Sequence, residues 1–231
     1  MHDVSDVWKR LVLSGGMKEV KLDIAGVEYT KPNLISHRIT GGVFDSPGIG
    51  NCSSREGDFE VRPIGEIPKQ AKIKVYVRVY KDNEYSEWIQ KGEFFISTRN
   101  LDRTSGILSI VSYDAMLKAE EVWLDSSYDS NNWPATQEWV VNDIAKRIGV
   151  EVDERTSLNE MFPVQYPVDE NGDLTMREVL SYVAVSNAGN WIISDTGKLL
   201  LLKYGGIPSE TWYLVDEKGE AITIGEVRII V

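Results

Sequence analysis

The sequence predicts an α+β protein, with a mainly antiparallel β first half followed by a small module of two helices and a β-hairpin. Three observations carry this. Residues 18–113 hold seven or eight short runs in which apolar and polar residues alternate, the period of half-buried strands. After residue 120 the period changes to that of amphipathic helices, with apolar stripes near 140–148 and 176–184. The stretch 84–119 organises the first half. It reads as strand, break at Lys91-Gly92, strand, a long polar turn over 97–106, strand, and a short helical lid after Asp114. Gly at the break suits strands that bend to close a barrel.

In chain order, Val4, Val7, Trp8, Leu11 and Val12 share one helical face, so residues 1–17 form a helix or arm ended by Gly15-Gly16. Val20, Leu22 and Ile24 alternate with charges, and Ala25-Gly26 turns the chain into Val27–Thr30, a hairpin. Residues 35–39 make a third strand, with His37 expected to face away from Ile35 and Ile39, towards solvent or an interface. Residues 40–57, with five Gly, form a long loop anchored by Val43-Phe44, a type of segment that tends to be functional. Residues 58–61 are a short strand. The clearest strand is 71–80, with Ile73, Val75, Val77 and Val79 inward and Lys72, Lys74, Tyr76, Arg78 and Tyr80 outward. That outer face mixes Lys, Arg and Tyr, as protein interfaces do. Seven or eight such strands close as a small barrel or pack as a sandwich.

The acidic, Ser/Asn-rich stretch 123–132 marks a boundary. Pro134 is expected to open a helix whose face is Val140, Val141, Ile144 and Ile148, stopped at Gly149. Ser157 to Glu160 has capping-box spacing, which predicts a short helical turn. Thr175 to Glu178 is a second capping box, opening a helix with Met176, Val179, Leu180, Val183 and Ala184 on one side. Trp191–Ile193 and 198–204 complete a hairpin. The expected units are thus 1–17, a β domain 18–122, an acidic α+β module 123–204, and a strand segment 205–231 that returns to the barrel or starts a second one.

Composition limits the function. No apolar run reaches membrane-span length, and the N-terminus is a poor signal peptide. The single cysteine, Cys52, forms no internal disulfide and reads as a small core residue. Residues 1–120 balance 17 basic against 17 acidic side chains, whereas 121–231 hold 8 against 19. That asymmetry argues against specific nucleic-acid binding. Catalytic sites find little support. Only His2 and His37 could serve a triad, no His/Cys cluster has zinc spacing, and no phosphate-binding glycine motif occurs. Asp169, Asn171 and Asp173 mimic the start of a calcium loop, but Leu174 and Leu180 stand where Gly and Glu belong, so a polar turn explains them better. The expectation is a protein that is not an enzyme and holds no metal or cofactor.

Certain residues carry a family likeness. Trp88, Gly92, Phe94 or Phe95, Ile96, Gly106, Leu108, Ile110 and Tyr113-Asp114-Ala115-Met116 form one motif. Ile39–Phe44 through Ile49–Cys52 form a second, and Ala184, Gly189, Trp191, Asp195, Gly197 and Leu199 a third. Over residues 17–204 the chain resembles the tail hub (baseplate hub, tail-associated) proteins of phages and prophages of Gram-positive bacteria. The resemblance implies a barrel akin to the tail-tube subunit's and a structural role joining tube to tail tip. It also implies a homo-oligomeric ring, expected to be a trimer, that contacts tube, distal-tail, tip or fibre proteins. The location implied is the virion tail, assembled in the host cytoplasm without membrane insertion. Candidate interface residues are Phe44 and Ile49 of the long loop and Lys72, Lys74, Tyr76, Arg78 and Tyr80 of the outer strand face. The run at 221–231 suggests either a minimal hub or a fragment of a longer one. The alternatives are a carbohydrate- or cell-surface-binding module, given seven Trp and ten Tyr, and, ranked last, a cell-wall hydrolase.

Overall fold

The computed structural model describes residues 4–41, 48–124, 133–165 and 174–204, and the backbone of short strands at 168–169, 172–173, 223–224 and 227–228. Helix α1 (Asp6–Leu13) is capped by the Ser5 side chain, which accepts from the Trp8 N–H. Only Leu11 of this helix is buried. The helix is tied to the sheet through Ser5, which bonds the Glu87 carboxylate, and through Arg10, which pairs with Glu84.

The first half is one antiparallel sheet of eight strands: β1 (Met17–Ile24), β2 (Val27–Tyr29), β3 (Leu34–Gly41), β4 (Arg55–Val61), β5 (Lys72–Lys81), β6 (Glu84–Tyr85), β7 (Ile89–Asp102) and β8 (Ile107–Tyr113). The order is β2-β1-β5-β7-β8-β4-β3, with β6 extending the pairing of β5. All strands but β6 feed one apolar core that includes Leu22, Tyr29, Leu34, Phe59, Ile73, Phe94 and Ile110. The sheet is therefore curled, with its two terminal strands adjacent in sequence.

It does not close into the expected barrel. β2 is three residues long and pairs only with Leu22–Ile24, and no ladder joins it to β3. The chain between them turns at residues 30–33 through Pro32, which has no N–H to give. Alternation reports which face of a strand is buried, not whether the first and last strands bond each other.

Other expectations shift too. The break at Lys91-Gly92 is a bulge inside a single 14-residue strand, β7, and the polar turn shrinks to residues 103–106 because 97–102 continue the ladder with β8. A bulge between Leu34 and Ser36 takes Ile35 out of step. His37 lies opposite Phe59 and Ile39 opposite Gly57. Two residues apart with no bulge between them, they share a face, so the expected opposition of His37 to Ile39 fails on the strand period itself. The expected lid is a 3₁₀ helix, Ala115–Glu120, capped by Asp114. It belongs to the second core rather than covering the first.

That second core gathers Met116, Trp123, helix α2 (Gln137–Ile148), helix α3 (Met176–Ser186), and the hairpin β11 (Gly189–Ile193) and β12 (Leu199–Lys203). Two small hairpin strands, β9 (Val168–Asp169) and β10 (Gly172–Asp173), precede α3, and β13 (Thr223–Ile224) pairs with β14 (Val227–Arg228). The capping box at Thr175 and Glu178 forms in full. Gly149 ends α2 at φ 78°, where a side chain would be strained. Pro134 does not open α2. It precedes Thr136, whose hydroxyl caps the helix instead. Residues 157–160 form no helical turn; the Asn159 N–H is instead drawn to the Asn187 side chain at 2.8 Å.

Candidate assembly surface

The two halves meet along a polar seam. Residues 50–53, at the end of the long loop, lie along β11 as an added strand. The Gly50 N–H donates to Gly189 O (2.9 Å), Trp191 N–H to Asn51 O (2.8 Å) and Ser53 N–H to Trp191 O (3.3 Å). Buried Asn190 accepts from the Asn51 N–H at 2.8 Å and donates to Gly48 O at 2.9 Å. Next in the chain, Arg55 donates to Asp195 Oδ1 at 2.8 Å and lies 3.5 Å from Asp114, whose side chain is fully buried. Asp114 also accepts from Ser54 Oγ and the Arg55 and Met116 N–H groups. Burial pushes its carboxyl pKa up, against those bonds and the Arg55 charge. The described part of the 40–57 loop is thus engaged within the chain. Ile49 is exposed at its edge, and Phe44 lies outside the described residues.

The predicted stripe on β5 divides in two. Lys72 pairs with Glu93 at 2.7 Å and Lys74 stands 3.9 Å from the same carboxylate. Glu93 abuts Gly197 of the module, so these two lysines border the seam. Tyr76, Arg78 and Tyr80 lie farther along. The Arg78 guanidinium pairs with Glu19 at 2.7 Å and sits 4.3 Å from the Tyr85 ring and 4.4 Å from the Trp88 ring. Lys21 lies 5.2 Å from the Tyr76 ring and 5.0 Å from the Trp88 ring. Tyr80 stacks on Tyr85 with centroids 5.5 Å apart. Each cation–aromatic contact of this kind contributes about 0.5–1 kcal/mol, so the patch is preorganised. Lys21, Tyr85 and Trp88 were not among the predicted site residues. The cross-strand neighbours that β1 and β6 bring to β5 depend on register, which alternation leaves open.

Beside this patch the open edges of the sheet face each other. Among the described residues β2 leaves residues 17–21 of β1 uncovered, and no strand lies on the outer side of β3. A cavity of about 550 Å³ lies between them, lined by Lys18, Val20, Leu34, Ile35, His37 and Tyr85 among others. Partial burial, with Lys31 adding to it, holds the His37 imidazole pKa below its ordinary value. Among the described residues no group of three or more His, Cys, Asp or Glu side chains could hold a metal ion, and no helix is long and apolar enough to cross a membrane.

No protein-family model and no curated protein sequence matches this chain. Solved structures do. The 43 kDa tail protein of prophage MuSo2 from Shewanella oneidensis superposes with a TM-score of 0.54 at 12% identity, over 90% of this chain and 61% of that one. A tail protein from Neisseria meningitidis MC58 gives 0.53 at 14% identity, over 88% and 58%. The fold is one that phage tail proteins use. At this identity the likeness is one of architecture. It takes in both the curled sheet and the module, and this chain spans about three fifths of the length of either neighbour.

Proposed function

We propose that this chain is a structural subunit of a phage or phage-like tail, a hub or baseplate component joining the tail tube to the tip. It works through surfaces and carries out no reaction. It assembles as a homo-oligomeric ring of three within the virion tail, beside tube, distal-tail, tip or fibre proteins, after synthesis in the host cytoplasm. The observation that supports this reading is the fold likeness to two tail proteins over some nine tenths of the chain. The hub motifs lend support, since Gly92, Phe94, Leu108, Ile110, Met116 and Trp191 are buried where the two cores are built. The preorganised patch around Arg78 and the exposed Ile49 are the candidate contacts. The test is sedimentation velocity with negative-stain imaging. The expected result is a ring-shaped trimer, and a chain that stays monomeric at high concentration overturns the reading.

A carbohydrate-binding reading needs a row of exposed tryptophans on the sheet. Trp8 and Trp88, the two in this half, are both half-buried, and Trp88 is covered by Arg78 and Lys21.

A further inference from the structure

Among the described residues no strand lies beside the two strand edges, of β1 and β3, that frame this slot, and unpaired edges template further strands. Its length suits one guest strand. Five uncovered residues of β1, at about 3.3 Å each, give roughly 16 Å of edge. Its walls offer apolar contact from Val20, Leu34 and Ile35. Its charge is positive. Lys18 and Lys31 make no ion pair among the described residues, while the one acid in the lining, Glu19, is held by Arg78. The matching charge is present on the chain itself, whose residues 121–231 carry 19 acids against 8 bases.

We infer that the slot receives an extended, acidic strand from a second copy of this chain, which pairs through its main chain with the free edges of β1 and β3. Slot and donor are different surfaces. The contact is therefore head-to-tail, a geometry that closes into a ring when the rotation permits. The inference rests on the assembly reading above and specifies where neighbouring subunits join.

Amide hydrogen exchange on the wild-type chain, at assembling and at dissociating concentrations, tests it without a variant. Assembly is expected to slow exchange at residues 17–21 and 34–40 by about tenfold or more, while the central strands β5 and β7 change little. The Lys18→Glu/Lys31→Glu pair, checked for fold by circular dichroism, is expected to shift sedimentation towards monomer. Raising salt from about 0.05 to 0.5 M is expected to weaken wild-type assembly. An oligomer whose slot amides exchange as fast as the monomer's overturns the inference and leaves the assembly reading standing. A double variant that assembles as wild type does the same. A wild-type chain monomeric at every concentration overturns both.

Discussion

Phe59 and Phe94 meet edge-to-face in the centre of the curled sheet, ring centroids 5.9 Å apart, and each ring lies over a glycine two residues earlier in its own strand. A Cβ on Gly57 would stand 2.7 Å from Phe59 Cε2, and one on Gly92 would stand 2.5 Å from Phe94 Cε2. The glycines are therefore part of the core's shape. Gly92→Ala and Gly57→Ala are each expected to destabilise by about 1–3 kcal/mol through forced ring displacement, and Phe94→Ala by about 3–5. Gly65→Ala, where an added Cβ meets nothing within 4 Å, is expected to stay within about 0.5 kcal/mol. Urea unfolding measures all four.

Arg55 neutralises a carboxylate with no solvent. Arg55→Met is expected to cost about 3 kcal/mol near neutral pH, because Asp114 is left charged and buried. Asp114 already has a raised pKa in the fold. A raised carboxyl favours the folded state below its unfolded value, and that stability is lost as pH rises through the folded value. The cost of Arg55→Met should accordingly shrink as the solution is acidified and Asp114 takes up its proton. Stability curves of both proteins from neutral pH to about pH 4 check this, and a cost independent of pH refutes it.

Asp153 behaves in the opposite sense. Hydrogen bonds from the Arg155 side chain, above all, hold its carboxyl pKa down to about 2. Its contribution is present above the unfolded value near 3.8 and is lost as pH falls towards 2. Because Arg155 is half exposed, Asp153→Asn is expected to cost only about 1 kcal/mol at neutral pH and to become harmless in acid.

Cys52 should be inert in the folded protein. Burial pushes its thiol pKa up to about 12, against the pull of Arg177, and its Sγ lies 3.6 Å from Arg177 O. Relative to an ordinary thiol, the thiolate fraction at pH 8 falls by roughly a thousandfold. Reaction with an aromatic disulfide reagent is expected to track global unfolding. Rapid labelling of the native chain would show that residues 50–53 detach readily.

Much of this fold is legible in local chemistry. β5, the Ala25-Gly26 turn, the Thr175 box and the Gly149 stop each depend on residues within a few positions of one another. What escapes local reading depends on distant partners. Whether β2 reaches β3 depends on strand length and on Pro32. Whether the Met116 turn caps one core or enters another depends on α2 and α3. The candidate surface divides the same way. The outward residues of β5 follow from alternation, whereas Lys21 and Trp88 join them only through pairing register, and the slot exists only because the sheet stays open.

The strand-like seating of residues 50–53 against Trp191 has a mechanical consequence. Those residues run directly into β4, and Asp114, bonded to Ser54 and Arg55, directly follows β8, the neighbour of β4. A tug on the hairpin is therefore delivered to two adjoining inner strands at once, in shear, instead of stretching a slack tether. Load would pass between the halves as through a welded bracket.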